Sequence, residues 1–163
     1  RRAFVKCTGT CDKTKENYIY TGTEDCEMMP FVPGGGAKAC AYGCLGFGSC
    51  VKACSFDAIH IISGVAVVDK DACRACGKCV EKCPRHLIEL IPYTQSVMVG
   101  CNSQDKGKAV TSSCETGCIG CKKCEKTCPN GAITVENFCA HIDYEKCTNC
   151  GACREVCPRN VIL

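Results

Sequence analysis

The sequence has few of the large aromatic side chains that usually fill a protein core. Among its 163 residues there is no tryptophan, and there are only five phenylalanines and five tyrosines. Such side chains normally supply much of the area that a small domain buries. We therefore expect something other than a conventional apolar core to hold this fold together.

Long apolar runs are also missing. No stretch of about 18 apolar residues occurs, so we predict no transmembrane segment in this chain. The first residue is arginine rather than methionine, and no signal-peptide pattern is visible. We therefore expect a trimmed chain or a fragment of a longer protein.

Cysteine, by contrast, is very abundant. The chain has 22 cysteines, which is about 13% of its residues and above the roughly 8–10% at which cysteine dominates a structure. Disulfides and metal centres are the two ways in which so many thiols stabilise a small protein.

The net charge depends on what these cysteines do. The formal value of +3 counts every cysteine as a neutral thiol. Cluster ligands are thiolates, and four cubane clusters of about −2 each would bring the net charge to about −5. The composition therefore gives no indication of nucleic-acid binding.

The cysteines form an internal repeat. The pattern C-x2-C-x2-C-x3-C-P is typical of bacterial ferredoxins, in which the fourth cysteine ligates the other cluster of a pair. It occurs three times in full, at Cys73–Cys76–Cys79–Cys83, Cys118–Cys121–Cys124–Cys128 and Cys147–Cys150–Cys153–Cys157, and once in part, at Cys44, Cys50 and Cys54. A shift of 74 residues maps the partial copy and the copy at Cys73–Cys83 onto the copies at Cys118–Cys128 and Cys147–Cys157. This register predicts two ferredoxin modules in tandem.

The segments between the cysteines support an α+β fold. Residues 56–61 and 65–69, and likewise 132–135 and 140–143, are strand-like runs around turn signals at Ser63-Gly64 and Glu136-Asn137. The spacers before each fourth cysteine are long enough only for one helical turn. We predict an irregular leader (1–39), module one (40–91), a connector (92–113) and module two (114–163).

The spacing predicts the cluster ligands. Three thiolates come from one loop and the fourth comes from the other half of the module. Disulfides fit three evenly spaced thiols poorly, and zinc ribbons lack the third cysteine and the C-P pair. The predicted sets are Cys118, Cys121, Cys124 and Cys157; Cys128, Cys147, Cys150 and Cys153; Cys54, Cys73, Cys76 and Cys79; and the incomplete set Cys44, Cys50 and Cys83.

The incomplete set lacks its second ligand, because Phe47 stands where Cys121 stands in module two. Cys40 lies four residues before Cys44, and we expect it to complete a four-iron cluster. A [3Fe-4S] cluster is the alternative. Cys114 matches Cys40 in module two, where no ligand is missing, which favours a shared but different role for these two residues.

Seven cysteines lie outside the regular pattern: Cys7, Cys11, Cys26, Cys40, Cys101, Cys114 and Cys139. The pairs Cys26–Cys40 and Cys101–Cys114 have similar spacing, so they are candidates for a fifth cluster at the junction of the modules. A cluster held in the leader by Cys7, Cys11 and Cys26 is a second possibility, and buried free thiols are a third. Cys139 falls on a predicted strand and is expected in the core.

The remaining features do not indicate catalysis. No dinucleotide or flavin motif is present, and no side chain is predicted to act as a catalyst. Five lysines are scattered around one cluster loop, either as a solvated face or as a docking surface for an acidic redox partner: Lys106, Lys108, Lys122, Lys123 and Lys126. We therefore expect an electron carrier.

Several segments resemble the B subunit of the Rnf complex of anaerobic bacteria. They are GCLGFGSC at 43–50, CPRHLIELIP at 83–92, AFVKCTGTC at 3–11 with residues 18–26, and residues 101–108. The resemblance covers nearly the whole chain. The cysteine quartets are common to ferredoxins, whereas Phe47, the leader and the connector make the resemblance specific.

This resemblance implies a membrane-bound ferredoxin:NAD⁺ oxidoreductase that is coupled to ion pumping. Its polyferredoxin component would receive electrons from soluble ferredoxin and pass them through about four [4Fe-4S] clusters toward other redox subunits. Family members also carry an N-terminal membrane helix and a further four-cysteine domain, so this chain is expected to be the polyferredoxin portion. Its expected location is the cytoplasmic face of the inner membrane, held by partners or by such an anchor. A polyferredoxin subunit of another anaerobic hydrogenase or dehydrogenase is the alternative.

Overall fold

Short strand pairs and one- or two-turn helices alternate along the chain in the computed structural model, which describes residues 1–163. The strands are β1 Arg2–Val5, β2 Ile59–Ile62, β3 Val65–Val68, β4 Ile88–Ile91, β5 Ile133–Glu136 and β6 Cys139–Ile142. The helices are α1 Ser49–Ala53, α2 Lys78–Lys82, α3 Gly107–Ser113, α4 Lys123–Thr127 and α5 Ala152–Val156, with two 3-10 helices at Cys26–Phe31 and Pro33–Gly35. None of these helices is long and apolar enough to cross a membrane.

The tandem repeat of the sequence is also a repeat of the fold. In the first half α1 packs against α2 and β2 pairs with β3; in the second half α4 packs against α5 and β5 pairs with β6. Each half is thus a small α+β unit with one hairpin and two short helices, as predicted.

The turn of the second hairpin lies one residue away from its predicted position, whereas the first turn lies where it was predicted. Ser63 and Gly64 both have positive φ, 50° and 82°, as a two-residue type I′ turn requires. In the second hairpin the residues with positive φ are Asn137 and Phe138, at 51° and 65°. Glu136, predicted in the turn, pairs with Cys139 instead, so the turn lies one residue later than expected.

Parts of the leader and the connector complete the two units. Strand β1 of the leader pairs antiparallel with β4, with Val5 opposite Ile88. At the equivalent place in the second half, Val99 bridges to Ile162. Each unit is therefore extended by a segment that precedes it in the chain. Helix α3 in the connector was not predicted.

Two small cores result, one in each half. The first contains Leu87 and Ile59, which are 1% and 2% exposed, and the second contains Val161 and Ile133, at 1% and 2%. Buried cysteines belong to both cores. Sulfur therefore takes the place that large aromatic side chains fill in other small domains.

Candidate iron–sulfur cluster sites

The structure brings together the first regular quartet of module two. Cys118, Cys121, Cys124 and Cys157 line one cavity. Cys124, on α4, is buried, whereas Cys121 is exposed. This set therefore approaches the protein surface at Cys121.

The second quartet of module two combines Cys128, which follows α4, with the three cysteines of the loop and helix at α5. Burial raises the pKa of Cys153, and the sulfurs of Cys147 and Cys128 are close enough to contribute to this rise. Cys128 Sγ accepts a hydrogen bond from the Ala132 N–H at 3.3 Å, and Cys147 Sγ accepts one from Gln95 Nε2 at 3.3 Å. Cys150 lies in the same loop, just before α5, and is exposed.

The regular quartet of module one forms a third group, in which Cys54, Cys73, Cys76 and Cys79 line one cavity. Cys73 Sγ accepts hydrogen bonds from the N–H groups of Ala3 and Ala75, both at 3.4 Å. Since Ala3 belongs to β1, the leader contributes directly to the surroundings of this group.

The fourth group contains a residue that the sequence did not assign to it. Cys44, Cys50 and Cys83 line a cavity together with Cys26. Burial raises the pKa of Cys50 to about 12, and the neighbouring sulfurs of Cys44, Cys26 and Cys83 contribute to this rise in that order. The place we expected for Cys40 is thus occupied by Cys26.

Local contacts explain how Cys26 reaches this position. It is the first residue of the 3-10 helix Cys26–Phe31, whose N-cap is Asp25. The Asp25 carboxylate accepts one hydrogen bond from the Glu27 N–H at 3.0 Å and another from Ser49 Oγ at 3.1 Å. Ser49 begins α1, so Asp25 fixes the start of the 3-10 helix against the helix that carries Cys50.

Cys40 lies in a different place. Its carbonyl accepts a hydrogen bond from Arg85 Nη1 at 3.0 Å. Burial raises the pKa of the Cys40 thiol, and the neighbouring sulfurs are those of Cys101 and Cys7. Cys40 therefore belongs with a separate set of thiols between the modules, which also includes Cys114.

The two remaining cysteines, Cys11 and Cys139, belong to none of these sets. Cys11 is exposed near Gly64. Cys139 is 1% exposed in β6, as expected for a core position. Hydrogen bonding by the Cys139 thiol lowers the pKa of Cys101 to about 7 and that of Cys118 to about 6.

Phe47, which replaces the second cysteine, has a packing role. Its ring lies 5.9 Å from the ring of Tyr20, centroid to centroid, with the planes tilted by 38°. This pair links the loop before α1 to the leader. The substitution thus removes one ligand position and adds a contact to the segment that provides Cys26.

The donor sets fit cubane clusters better than single ions. No three Cys, His, Asp or Glu side chains are close enough to surround one metal ion, whereas a cubane holds its four thiolates further apart around a larger inorganic core. Backbone N–H groups point at the sulfurs, as they do where clusters are bound. The sulfurs of Cys54, Cys83 and Cys128 each accept a hydrogen bond from the backbone N–H of the residue four positions later, at 3.5, 3.5 and 3.3 Å.

Five exposed lysines surround the Cys121 loop. Helix α3 starts beside this loop, because the backbone of Gly107 packs against that of Ile119. The start of α3, which carries Lys106 and Lys108, therefore lies close to this loop. The exposed side chains are Lys106, Lys108, Lys122, Lys123 and Lys126.

Comparison with protein families agrees with this chemistry. Two family models of the 4Fe-4S dicluster domain match the chain, one at residues 72–132 and one at residues 117–161. They confirm the α+β ferredoxin fold and the prediction of several [4Fe-4S] clusters, about four in number. The match at 72–132 runs from one half of the chain into the other, whereas in the structure the helices pack within each half.

Three curated relatives match nearly the whole chain. The B subunit of the Na(+)-translocating ferredoxin:NAD(+) oxidoreductase complex of Acetobacterium woodii is 48% identical over 98% of this chain and 48% of its own length. The B subunit of the ion-translocating oxidoreductase complex of Methanosarcina acetivorans is 47% identical over 98% of this chain and 60% of its own length. The B subunit of the proton-translocating ferredoxin:NAD(+) oxidoreductase complex of Clostridium ljungdahlii is 46% identical over 99% of this chain and 58% of its own length. The chain thus spans about half the length of these relatives.

Proposed function

Because the chain belongs to the family of B subunits of ion-translocating ferredoxin:NAD(+) oxidoreductase complexes, we propose that it is the electron-relay portion of such a complex. It receives electrons from reduced ferredoxin and delivers them to other redox subunits. The observation that carries this proposal is the convergence of four thiols in each of three cavities, with N–H donors aimed at several of the sulfurs.

The residues of this chain hold and tune the clusters. When bound, each [4Fe-4S] cluster supplies a one-electron carrier with a potential of roughly −400 mV in ordinary ferredoxins. The ligands are the four sets described above, with Cys26 rather than Cys40 completing the set of Cys44, Cys50 and Cys83. Each N–H···S hydrogen bond stabilises the more negative state and so raises the potential. The chain itself provides no acid or base.

The two modules are residues 40–91 and 114–163, and the leader is part of the first module because β1 completes its sheet. We place the chain peripherally at the cytoplasmic face of the membrane complex, where soluble ferredoxin has access. The remaining subunits of the complex are its partners on the membrane side.

Ferredoxin docks on the lysine-rich side of module two in this proposal. Ferredoxins are acidic because their clusters and carboxylates carry negative charge, and a lysine surface would steer them toward the exposed Cys121. Such steering changes the rate of encounter more than the final affinity. The contact would place the two redox centres on opposite sides of one short loop.

The test is stopped-flow mixing of reduced ferredoxin with the oxidised, anaerobically purified chain, followed by bleaching of the cluster absorbance. We expect fast electron uptake that slows as ionic strength rises. Lys126→Glu should lower the second-order rate constant several-fold. Lys52→Glu is the matched control, because Lys52 occupies the equivalent position on α1, and it should change the rate little.

Two results would contradict the proposal. If the chain carries clusters but reduced ferredoxin does not reduce them, ferredoxin is not the electron donor. Equal effects of the two charge reversals would place the docking surface elsewhere.

A further inference from the structure

Four cysteines that belong to none of the four groups meet at the junction of the modules. Cys7, Cys40, Cys101 and Cys114 line one cavity. Cys40 and Cys114 are buried, each 9% exposed, and the other two are half-buried. Two of the four come from the first half of the chain and two from the second.

The first pair, Cys7 and Cys101, occupies equivalent positions in the two halves. The residue before Cys7, Lys6, donates its N–H to the Leu87 carbonyl at 2.8 Å, and the residue before Cys101, Gly100, donates to the Val161 carbonyl at 2.8 Å. The 74-residue shift maps Leu87 onto Val161. Each thiol therefore leaves the edge of its module's sheet at the same point.

The second pair, Cys40 and Cys114, is held by equivalent arginines. Arg85 donates to the carbonyls of Cys40 and Gly43, at 3.0 and 2.9 Å. Arg159 donates in the same way to the carbonyl of Cys114, at 2.5 Å, and to that of Gly117, at 3.2 Å. The same shift relates the two arginines and the two cysteines, so the four thiols have pseudo-twofold symmetry.

The surroundings of these sulfurs are those of cluster ligands. Cys7 Sγ accepts a hydrogen bond from the Cys44 N–H at 3.3 Å, and Cys101 Sγ accepts one from the Ser103 N–H at 3.4 Å. Lys38 Nζ lies 4.0 Å from Cys7 Sγ. Such a cation offsets the negative charge of a cluster with four thiolates.

We propose that Cys7, Cys40, Cys101 and Cys114 bind a fifth [4Fe-4S] cluster that links the two modules. The inference rests on the proposed function only in taking the bound group to be the same kind of cluster. Binding requires all four thiols as thiolates, so four protons are released when the cluster is inserted.

The position of the site gives this cluster its role. On one side, the donor to Cys7 is the backbone N–H of Cys44, itself a ligand of the Cys26 group. On the other side, the Cys139 thiol donates to the Cys101 carbonyl at 3.3 Å and also contacts Cys118, a ligand in module two. The fifth cluster therefore connects two pairs of clusters that would otherwise be separate.

The experiment is a count of clusters in the whole, anaerobically prepared chain by native mass spectrometry, with iron, zinc and sulfide analysis of the same sample. We expect five clusters and about 20 iron atoms. The variant Cys101→Ala/Cys114→Ala should lose one cluster, or about four iron atoms. Cys11→Ala is the control, and it should keep all five.

The wild-type count keeps the proposal falsifiable if the double variant does not fold. Four clusters and about 16 iron atoms in the wild-type chain would overturn the fifth cluster but leave the electron relay intact. About 16 iron atoms together with one zinc ion would show that the four junction cysteines bind zinc, which would also overturn the fifth cluster. A chain without iron would overturn the proposed function as well.

Discussion

The two modules share a fold and a cysteine register, yet one of the four-thiol groups is completed by a different segment in each module. In module two the second cysteine of the quartet is Cys121, which lies in the loop before α4 and is exposed. In module one Phe47 takes that position, and the fourth thiol of the group is that of Cys26, which is 9% exposed. A cluster held by these thiols would thus have an exposed ligand in module two and a buried ligand from the leader in module one.

We expect this difference to give the two modules different roles in electron transfer. The Cys121 loop has five exposed lysines around it and suits exchange of electrons with a soluble protein. The Cys26 group is covered by a 3-10 helix that Asp25 fixes to α1, and it suits relay within the protein. Burial also makes its cluster dependent on a segment outside the repeat.

The largest expected effect comes from removing Cys26. In Cys26→Ala the set of Cys44, Cys50 and Cys83 keeps three ligands, so we expect a [3Fe-4S] cluster or loss of about four iron atoms. Electron paramagnetic resonance of the oxidised protein and iron analysis report the change. Cys40→Ala should leave this cluster as a four-iron cluster, which makes it the matched comparison.

A second substitution sharpens this test. The backbone around Phe47 matches that around Cys121, since Gly46 and Gly120 have φ of 76° and 66°. Adding Phe47→Cys to Cys26→Ala should therefore restore the four-iron cluster with the ligand arrangement of module two. If the double variant stays a three-iron protein, the two loops are less alike than the structure indicates.

The cysteine register predicted most of the fold and the grouping of the thiols in the regular quartets, two of which line one cavity each. It could do so because spacing within a short loop fixes which thiols face one centre. Cys26 was missed because its position depends on the 3-10 helix and on Asp25, which no repeat reveals; the only signal was the missing ligand at Phe47. The equivalence of Cys40 and Cys114 was visible, but their partners Cys7 and Cys101 meet only after two sheet edges are brought together.

A smaller effect is expected from the two arginines. Arg85 donates to three carbonyls, those of Cys40, Gly43 and Gly35, whereas Arg159 donates to two. One hydrogen bond to a charged group contributes about 1.5 kcal/mol. The rate at which the cluster absorbance is lost in denaturant, under anaerobic conditions, should therefore increase roughly tenfold more in Arg85→Met than in Arg159→Met. A rate is the appropriate measure because the loss of clusters is irreversible. Equal rates would mean that the third contact contributes nothing.

The smallest difference is expected between two glycines of the cluster loops. A Cβ at Gly46 would lie 2.5 Å from the Gly64 carbonyl oxygen, and one at Gly120 would lie 3.0 Å from that of Phe138. Both positions have positive φ, which costs a residue with a Cβ about 1–2 kcal/mol. Gly46→Ala should therefore lose its cluster absorbance a few-fold faster than Gly120→Ala in the same assay. A faster loss in Gly120→Ala would show that the loop of module two is the tighter one.

The most direct test of the electron relay is Mössbauer and electron paramagnetic resonance spectroscopy of the whole anaerobic chain. We predict that all iron is in [4Fe-4S] clusters, that the oxidised protein is silent in electron paramagnetic resonance, and that reduction gives interacting spins. A three-iron signal in the oxidised wild-type protein would contradict the role of Cys26. Absence of iron from a carefully anaerobic preparation would contradict the electron relay itself.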